Sequence, residues 1–411
     1  MNILFVHQNF PGQFKFLAPA LAKQGHNVHA LTLRTDISSL FPTIHVTSYS
    51  LSRSSSPSIH PWLSDLESKV IRGDACFRAA LKLKNQGFIP DSIIAHPGWG
   101  ESLFLKEVWP HAKLGLYCEF FYNTSGFDIN FDPEFPLTSP DNACRLLIKN
   151  ANNMLHAPSM DLGLSPTHWQ ATTYPADIRK NISVIHDGID VNKVIPNDSV
   201  RITLKNTLTL SRQDEVITFV NRNLEPYRGY HIFMRALPEL LKTRPKLHVL
   251  IVGDDGVSYG AAPPSGMTWK SIFVSEVRHI ISDADWARVH FMGSVPYHHF
   301  LAILQLSRVH VYLSYPFVLS WSLLEAMSAE CAIIASKTLP VQEVISHEDT
   351  GLLVDFFDIN QLISEAHRLL DDQLLRTHLG TNARNYCINN FSLNDICLPR
   401  QLAWVDNLAE S

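Results

Sequence analysis

A chain of 411 residues with 45% apolar and 18% charged content has the composition of an ordinary globular protein, long enough for two domains that each bury a core. A formal net charge of −5 argues against a general nucleic-acid binder, because no strongly basic face is guaranteed, while local basic pockets stay compatible with it. No apolar tract reaches the length that spans a bilayer.

Residues 3–6 read as a buried strand, and the absence of a basic leader makes the amino terminus a strand rather than a signal peptide. Residues 7–12 form a loop leading into an amphipathic run, 14–25. Gly12, just before that run, would let the backbone approach a phosphate closely, or would only close a tight strand-to-helix turn. A strand follows at 28–33, then an irregular stretch at 34–61 rich in Ser, Pro and Thr, with one short strand in it. Residues 63–86 have helical spacing, and 92–95 is a strand that ends in His96-Pro-Gly-Trp-Gly-Glu101. The strand at 114–118 ends in Glu119. Side chains at the carboxyl ends of parallel strands face the crevice where open α/β sheets bind ligands, so His96 and Glu119 are candidates for substrate contact. Their bland alternatives are a satisfied histidine and a loop carboxylate. Residues 128–140 read as a long loop, 145–155 as a helix, and 183–190 as the last strand and turn of the first domain.

Residues 191–214 are polar without strong periodicity and should hold the linker, giving domains at 1–195 and 196–392. A strand at 216–220 then runs into Asn221-Arg222-Asn-Leu-Glu-Pro-Tyr-Arg228-Gly229. A helix at 233–241 leads to a strand at 247–252 that ends in Gly253. Residues 257–266, with two adjacent prolines, form an insertion without an assignment. After a helix at 272–281, a strand at 289–292 enters the turn 293–297, which contains Val295. Next come a strand at 309–313, the loop 314–320, and a helix at 321–329 with Ser320 as its N-cap. Such a corner binds anions, since the first N–H groups of the helix lack internal partners. Glu325 lies a little over one turn inside, so its carboxylate can turn back toward the same crevice; a solvated helical Glu is the equal alternative. Strands at 332–335 and 352–354 and helices at 359–370, 375–389 and 396–408 finish the chain. Asp283-Ala-Asp285 has the letters of a metal-binding pair but reads as the solvated start of a short helix, and His298-His299 lacks metal-ligand spacing. The six cysteines show no Cys-x-x-Cys spacing and read as reduced, packed thiols of the cytosol.

The stretch 309–336, with Glu325-Ala-Met327 followed by a small-residue strand, resembles the sugar-nucleotide signature of retaining glycosyltransferases of family 4, which have the GT-B fold. The resemblance implies an α/β protein of two Rossmann-like domains whose parallel sheets face a central cleft, with the C-terminal helix in 393–411 packed back on the first domain. It implies transfer of a sugar from a nucleoside-diphosphate donor to a glycan, lipid or small-molecule acceptor, with no metal and no cofactor, in the cytoplasm or peripheral to the inner face of a membrane. Arg222 and Arg228 stand where the family brackets the donor diphosphate with Arg and Lys, and both are expected at the cleft surface. Glu325 would hold the ribose hydroxyls, and the backbone N–H groups of Leu319, Ser320 and Trp321 the phosphates. Gly12 would approach from the opposite domain, while Gly253, Val295 and Phe317 complete the donor side. His96 or Glu119 would serve the acceptor side, where the family often presents a His. Phe317 stands where the family has the first Glu of its motif, and His186-Asp187 replaces Pro-Asn in its late first-domain turn. Two alternatives keep the fold: a sugar-nucleotide-binding protein without catalysis, and a sugar-nucleotide epimerase.

Overall fold

The computed structural model describes residues 1–204 and 207–411. Lys205 and Asn206, inside the stretch expected to hold the linker, lie outside the described residues. The chain divides into two compact units, Met1–Gly188 with Leu393–Ser411, and Ile189–Ser392.

The first unit is built on a parallel sheet of β1 (Asn2–Val6), β2 (Asn27–Thr32), β3 (His45–Ser48), β4 (Ser92–Ala95), β5 (Lys113–Tyr117), β6 (Leu162–Ser165) and β7 (Ile182–Val184), in the order β3-β2-β1-β4-β5-β6-β7. Helices cover both faces, so the central strands are continuous apolar runs: Ile3, Leu4, Phe5 and Val6 are all fully buried. The helix Ser64–Asn85 packs over the face carrying Leu4 and Val6. On the other face, Ile3 and Phe5 meet the helices Leu17–Lys23 and Leu398–Glu410. The C-terminal helix sits directly on β5, for a Cβ on Gly115 would lie 2.6 Å from the Trp404 ring. The expected run 14–25 resolves into a 3-10 turn, Gly12–Phe14, and then the helix Leu17–Lys23.

The second unit carries an antiparallel pair, β8 (Arg201–Leu204) and β9 (Leu208–Ser211), and a six-stranded parallel sheet. Its strands are β10 (Val216–Asn223), β11 (His248–Asp254), β12 (Val289–Gly293), β13 (Val309–Tyr312), β14 (Ile333–Ser336) and β15 (Leu352–Val354), in the order β12-β11-β10-β13-β14-β15. Residues 191–214 are therefore not merely a polar linker. Val191, Val194, Val200, Leu204 and Leu210 are buried in the same core as Phe300 and Leu304, and they were obscured by the polar residues between them. A helix, Tyr297–Leu306, also continues where sequence reading saw only a turn.

Cys76, Cys118, Cys331, Cys387 and Cys397 are buried free thiols, whereas Cys144, expected to be packed, is exposed on the helix Asp141–His156. That helix buries only one stripe, and Cys144 is on its wet side. Among the described residues, no helix is long and apolar enough to cross a membrane.

Candidate functional site

In the second unit the strand order reverses between β10 and β13, so the loops that follow these strands lie side by side at the carboxyl edge of the sheet. Their contact is direct, because the Tyr315 N–H donates to the Tyr227 carbonyl at 3.0 Å. Gly229 makes the approach feasible: it has φ of +67°, and a Cβ there would fall 2.3 Å from Leu313 Cβ.

Arg222 is exposed and lines a cavity of about 320 Å³ together with Val295, Tyr297, Ser320 and Ser322. Ser320 caps the helix Trp321–Ser328, its hydroxyl accepting from the Ser322 N–H at 3.3 Å. Its own N–H donates to the Tyr312 hydroxyl at 3.0 Å, so one of the three amides expected to meet a phosphate is already engaged. Leu319 points its side chain into the core instead. Glu325 is buried rather than solvated, and it accepts the Tyr297 phenolic proton at 2.7 Å. Burial, followed by the neighbouring Glu325 carboxylate, pushes the Tyr297 phenol well above its ordinary range.

Arg228 does not sit at a surface as expected. It is buried, and its Nη1 donates to Ser314 Oγ at 2.8 Å and to the Val318 carbonyl at 3.1 Å. The guanidinium lies 5.1 Å from the Tyr259 ring centre and 6.0 Å from that of Phe317. Burial works to lower its pKa, but Tyr312, Tyr259 and Glu225 outweigh that and raise it, so the cation persists. Phe317 packs among Tyr227 and Tyr259 and is itself buried. Gly253 is needed for packing, since a Cβ there would meet Leu224 Cδ2 at 2.8 Å; its neighbours Val252 and Asp254 line the cavity.

Sequence reading missed Glu225. Fully buried, it accepts from the N–H groups of Ser258 at 3.2 Å, Tyr259 at 3.2 Å and Gly260 at 3.4 Å, and so ties the unassigned insertion to the loop that carries Arg228. No local pattern announces that role, because its partners are backbone amides far along the chain. The Asp283 and Asp285 carboxylates pair with Arg278 and Arg288.

The first unit repeats the geometry, with its order reversing between β1 and β4. The loops after those strands bring His7 and His96 together, ring centres 5.5 Å apart. His7 Nδ1 accepts from the Asn9 N–H at 2.9 Å, which assigns the ring proton to Nε2, 3.0 Å from Gln13 Oε1. Gln13 in turn donates to Glu119 Oε1 at 3.3 Å. His96 Nδ1 accepts from the Gly98 N–H at 3.1 Å, and its Nε2 stands 3.5 Å from Glu119 Oε2. Burial and then the His96 charge lower His7 to about 3, so it is neutral near pH 7. Burial acts to raise Glu119, but His96, His7 and Gln13 prevail and hold it below the usual carboxylate range. Gly12 is built against His7, for a Cβ would fall 2.4 Å from His7 Nε2. His7 could have been found by the logic that found His96, as it too ends a central strand.

Residues 24–194 match the family described as Glycosyl transferase family 4 group, and residues 200–386 match Glycosyl transferases group 1. The chain belongs to glycosyltransferase family 4. Among its relatives is the D-inositol 3-phosphate glycosyltransferase of Corynebacterium efficiens, 28% identical over 222 residues, or 53% of this chain and 49% of the relative. This family 4 chain thus spans about half the length of the first curated relatives it matches. Sucrose-phosphate synthase from Thermosynechococcus elongatus superposes over 100% of both chains with a TM-score of 0.72 at 17% identity. HepE from Anabaena, solved in complex with UDP and glucose, superposes over 99% of each with a TM-score of 0.64 at 17% identity. At that identity the likeness concerns the fold, and this family 4 chain has the GT-B pair of Rossmann-like domains.

Proposed function

We propose that this protein moves a sugar from a nucleoside-diphosphate sugar to a hydroxyl-bearing acceptor, with retention at the sugar carbon and without a bound metal. One observation carries the reading: Arg222, the Ser320-capped helix start and Tyr297, the partner of Glu325, surround one cavity beside the switch point of the second sheet. The anomeric C–O bond to the diphosphate breaks, an acceptor oxygen bonds to the same face of that carbon, and the acceptor proton passes to the leaving phosphate oxygen. Negative charge grows on the diphosphate, where the Arg222 cation and the positive end of the helix stabilise it. Glu325 suits the ribose hydroxyls, and Arg228 supports the loop from beneath. His96 and Glu119 serve the acceptor. The complex of HepE with UDP and glucose supports a nucleotide-sugar donor here.

Incubation with UDP-, GDP- and ADP-sugars in EDTA, following free diphosphate by coupled assay and the product anomer by NMR, tests the proposal. Release with the donor's anomeric configuration kept is the expected result. Inversion, or loss of turnover in EDTA that Mg²⁺ restores, would overturn the corresponding part. Because Phe317 leaves no carboxylate where the family has one, binding without release would favour a non-catalytic sugar-nucleotide-binding protein.

A further inference from the structure

The first unit holds a cavity of about 290 Å³ whose lining includes Arg72, His96, Glu119, Lys149 and Asn152. Its cations are unevenly neutralised. Lys69, also on the wall, is committed to Asp65 at 2.8 Å and to the Lys149 carbonyl at 3.2 Å. The Lys149 ammonium rests 3.8 Å from the centre of the Tyr122 ring, and among the described residues it has no carboxylate within ion-pair distance. Arg72 faces Glu101 at 3.9 Å, but that carboxyl is fully buried without a hydrogen-bond partner, and burial pushes it toward the neutral acid. One polar atom of the lining, Asn152 Oδ1, is also buried and unpartnered, while the buried His96 Nε2 has the Glu119 carboxylate 3.5 Å away.

Unpartnered buried polar groups cost free energy unless a ligand or water completes them. Here the cations ask for an anion, while Asn152 Oδ1 asks for a donor such as a hydroxyl, and the Glu119 carboxylate beside it has lone pairs to accept one. We propose that this cavity takes a hydroxyl-bearing anion, a phosphate or carboxylate, with Lys149 and Arg72 on the anionic group and Glu119 on the hydroxyl. That the anion is the sugar acceptor rests on the transfer reading above; that it binds does not. Lys149 then determines specificity, selecting charged over neutral hydroxyl compounds.

Calorimetric titration of the full chain with glucose 6-phosphate, malate and glucose, and co-sedimentation with phosphatidylglycerol or phosphatidylcholine vesicles, tests this. The expected result is that at least one anionic probe binds at least about tenfold more tightly than its neutral counterpart. Lys149→Gln should weaken that binding at least about tenfold and Lys149→Arg should largely keep it, since the charge is what is read. A soluble anion bound without vesicles identifies a free metabolite; phosphatidylglycerol alone, lost in Lys149→Gln, identifies a lipid headgroup. Failure of every anionic probe to bind, or equal binding by Lys149→Gln, overturns the proposal. UDP, GDP and ADP titrated in parallel report on the other unit. If none binds and no donor turns over while the anion results hold, the transfer reading falls and the anion site stands.

Discussion

Tyr297, which lines the donor-side cavity, donates to the buried Glu325 carboxylate at 2.7 Å, joining the first turn of one helix to the middle of another. A charge-assisted hydrogen bond of this kind contributes about 1.5–3 kcal/mol. Tyr297→Phe should therefore weaken nucleoside-diphosphate binding about tenfold by calorimetry and also lower the unfolding temperature, because it takes a donor from the buried Glu325 carboxylate. Binding as tight as that of the parent would mean that Glu325 does not touch the nucleotide.

The two arginines should separate in their effects. Arg222→Ala removes an exposed cation and should slow turnover while leaving urea stability within about 0.5 kcal/mol. Arg228→Ala strips hydrogen bonds from Ser314 and Val318 and a cation from between two rings, so it should cost roughly 2–4 kcal/mol of stability as well. Equal stability of both variants would contradict the buried position of Arg228.

Glu225→Ala should free the insertion at 258–260 by leaving its N–H groups without their shared acceptor. Destabilisation of about 2–3 kcal/mol, with new proteolytic cuts between residues 257 and 266, is expected. A protease pattern unchanged from the parent would show that the loop is held by other contacts.

Acid should destabilise the fold through buried histidines. Burial lowers His310 and His186 to about 4, and burial with the His96 charge lowers His7 to about 3, from an ordinary 6.5. Below pH 6.5 the unfolded chain binds protons that the folded chain refuses, so stability present above that pH is lost as pH falls toward the folded values. Each histidine contributes a slope of up to about 1.4 kcal/mol per pH unit. His310→Gln, remote from both cavities, should flatten the denaturation midpoint between pH 6.5 and 4; a slope as steep as the parent's would remove His310 from the set.

Much of this architecture was legible because it is local. Buried parallel strands are continuous apolar runs, and Ser320 declares a helix start by its own chemistry, so most strands of the two parallel sheets, the turns that end them and the candidates His96 and Glu325 could be named from residue order, with Arg222 added by the family resemblance. Alternate polar residues concealed Val191, Val200 and Leu210, whose burial depends on a helix a hundred residues away. Whether an arginine lies in water or under two aromatic rings is likewise settled by distant chain: Tyr259 reaches Arg228 from a loop whose three backbone amides Glu225 gathers. His7, Gln13 and Glu119 meet because the strand order reverses beside β1, a packing outcome no local propensity encodes. Periodicity and end chemistry are carried by neighbours in sequence, whereas burial, pKa and the pairing of charges depend on what the folded sheet brings within a few ångströms.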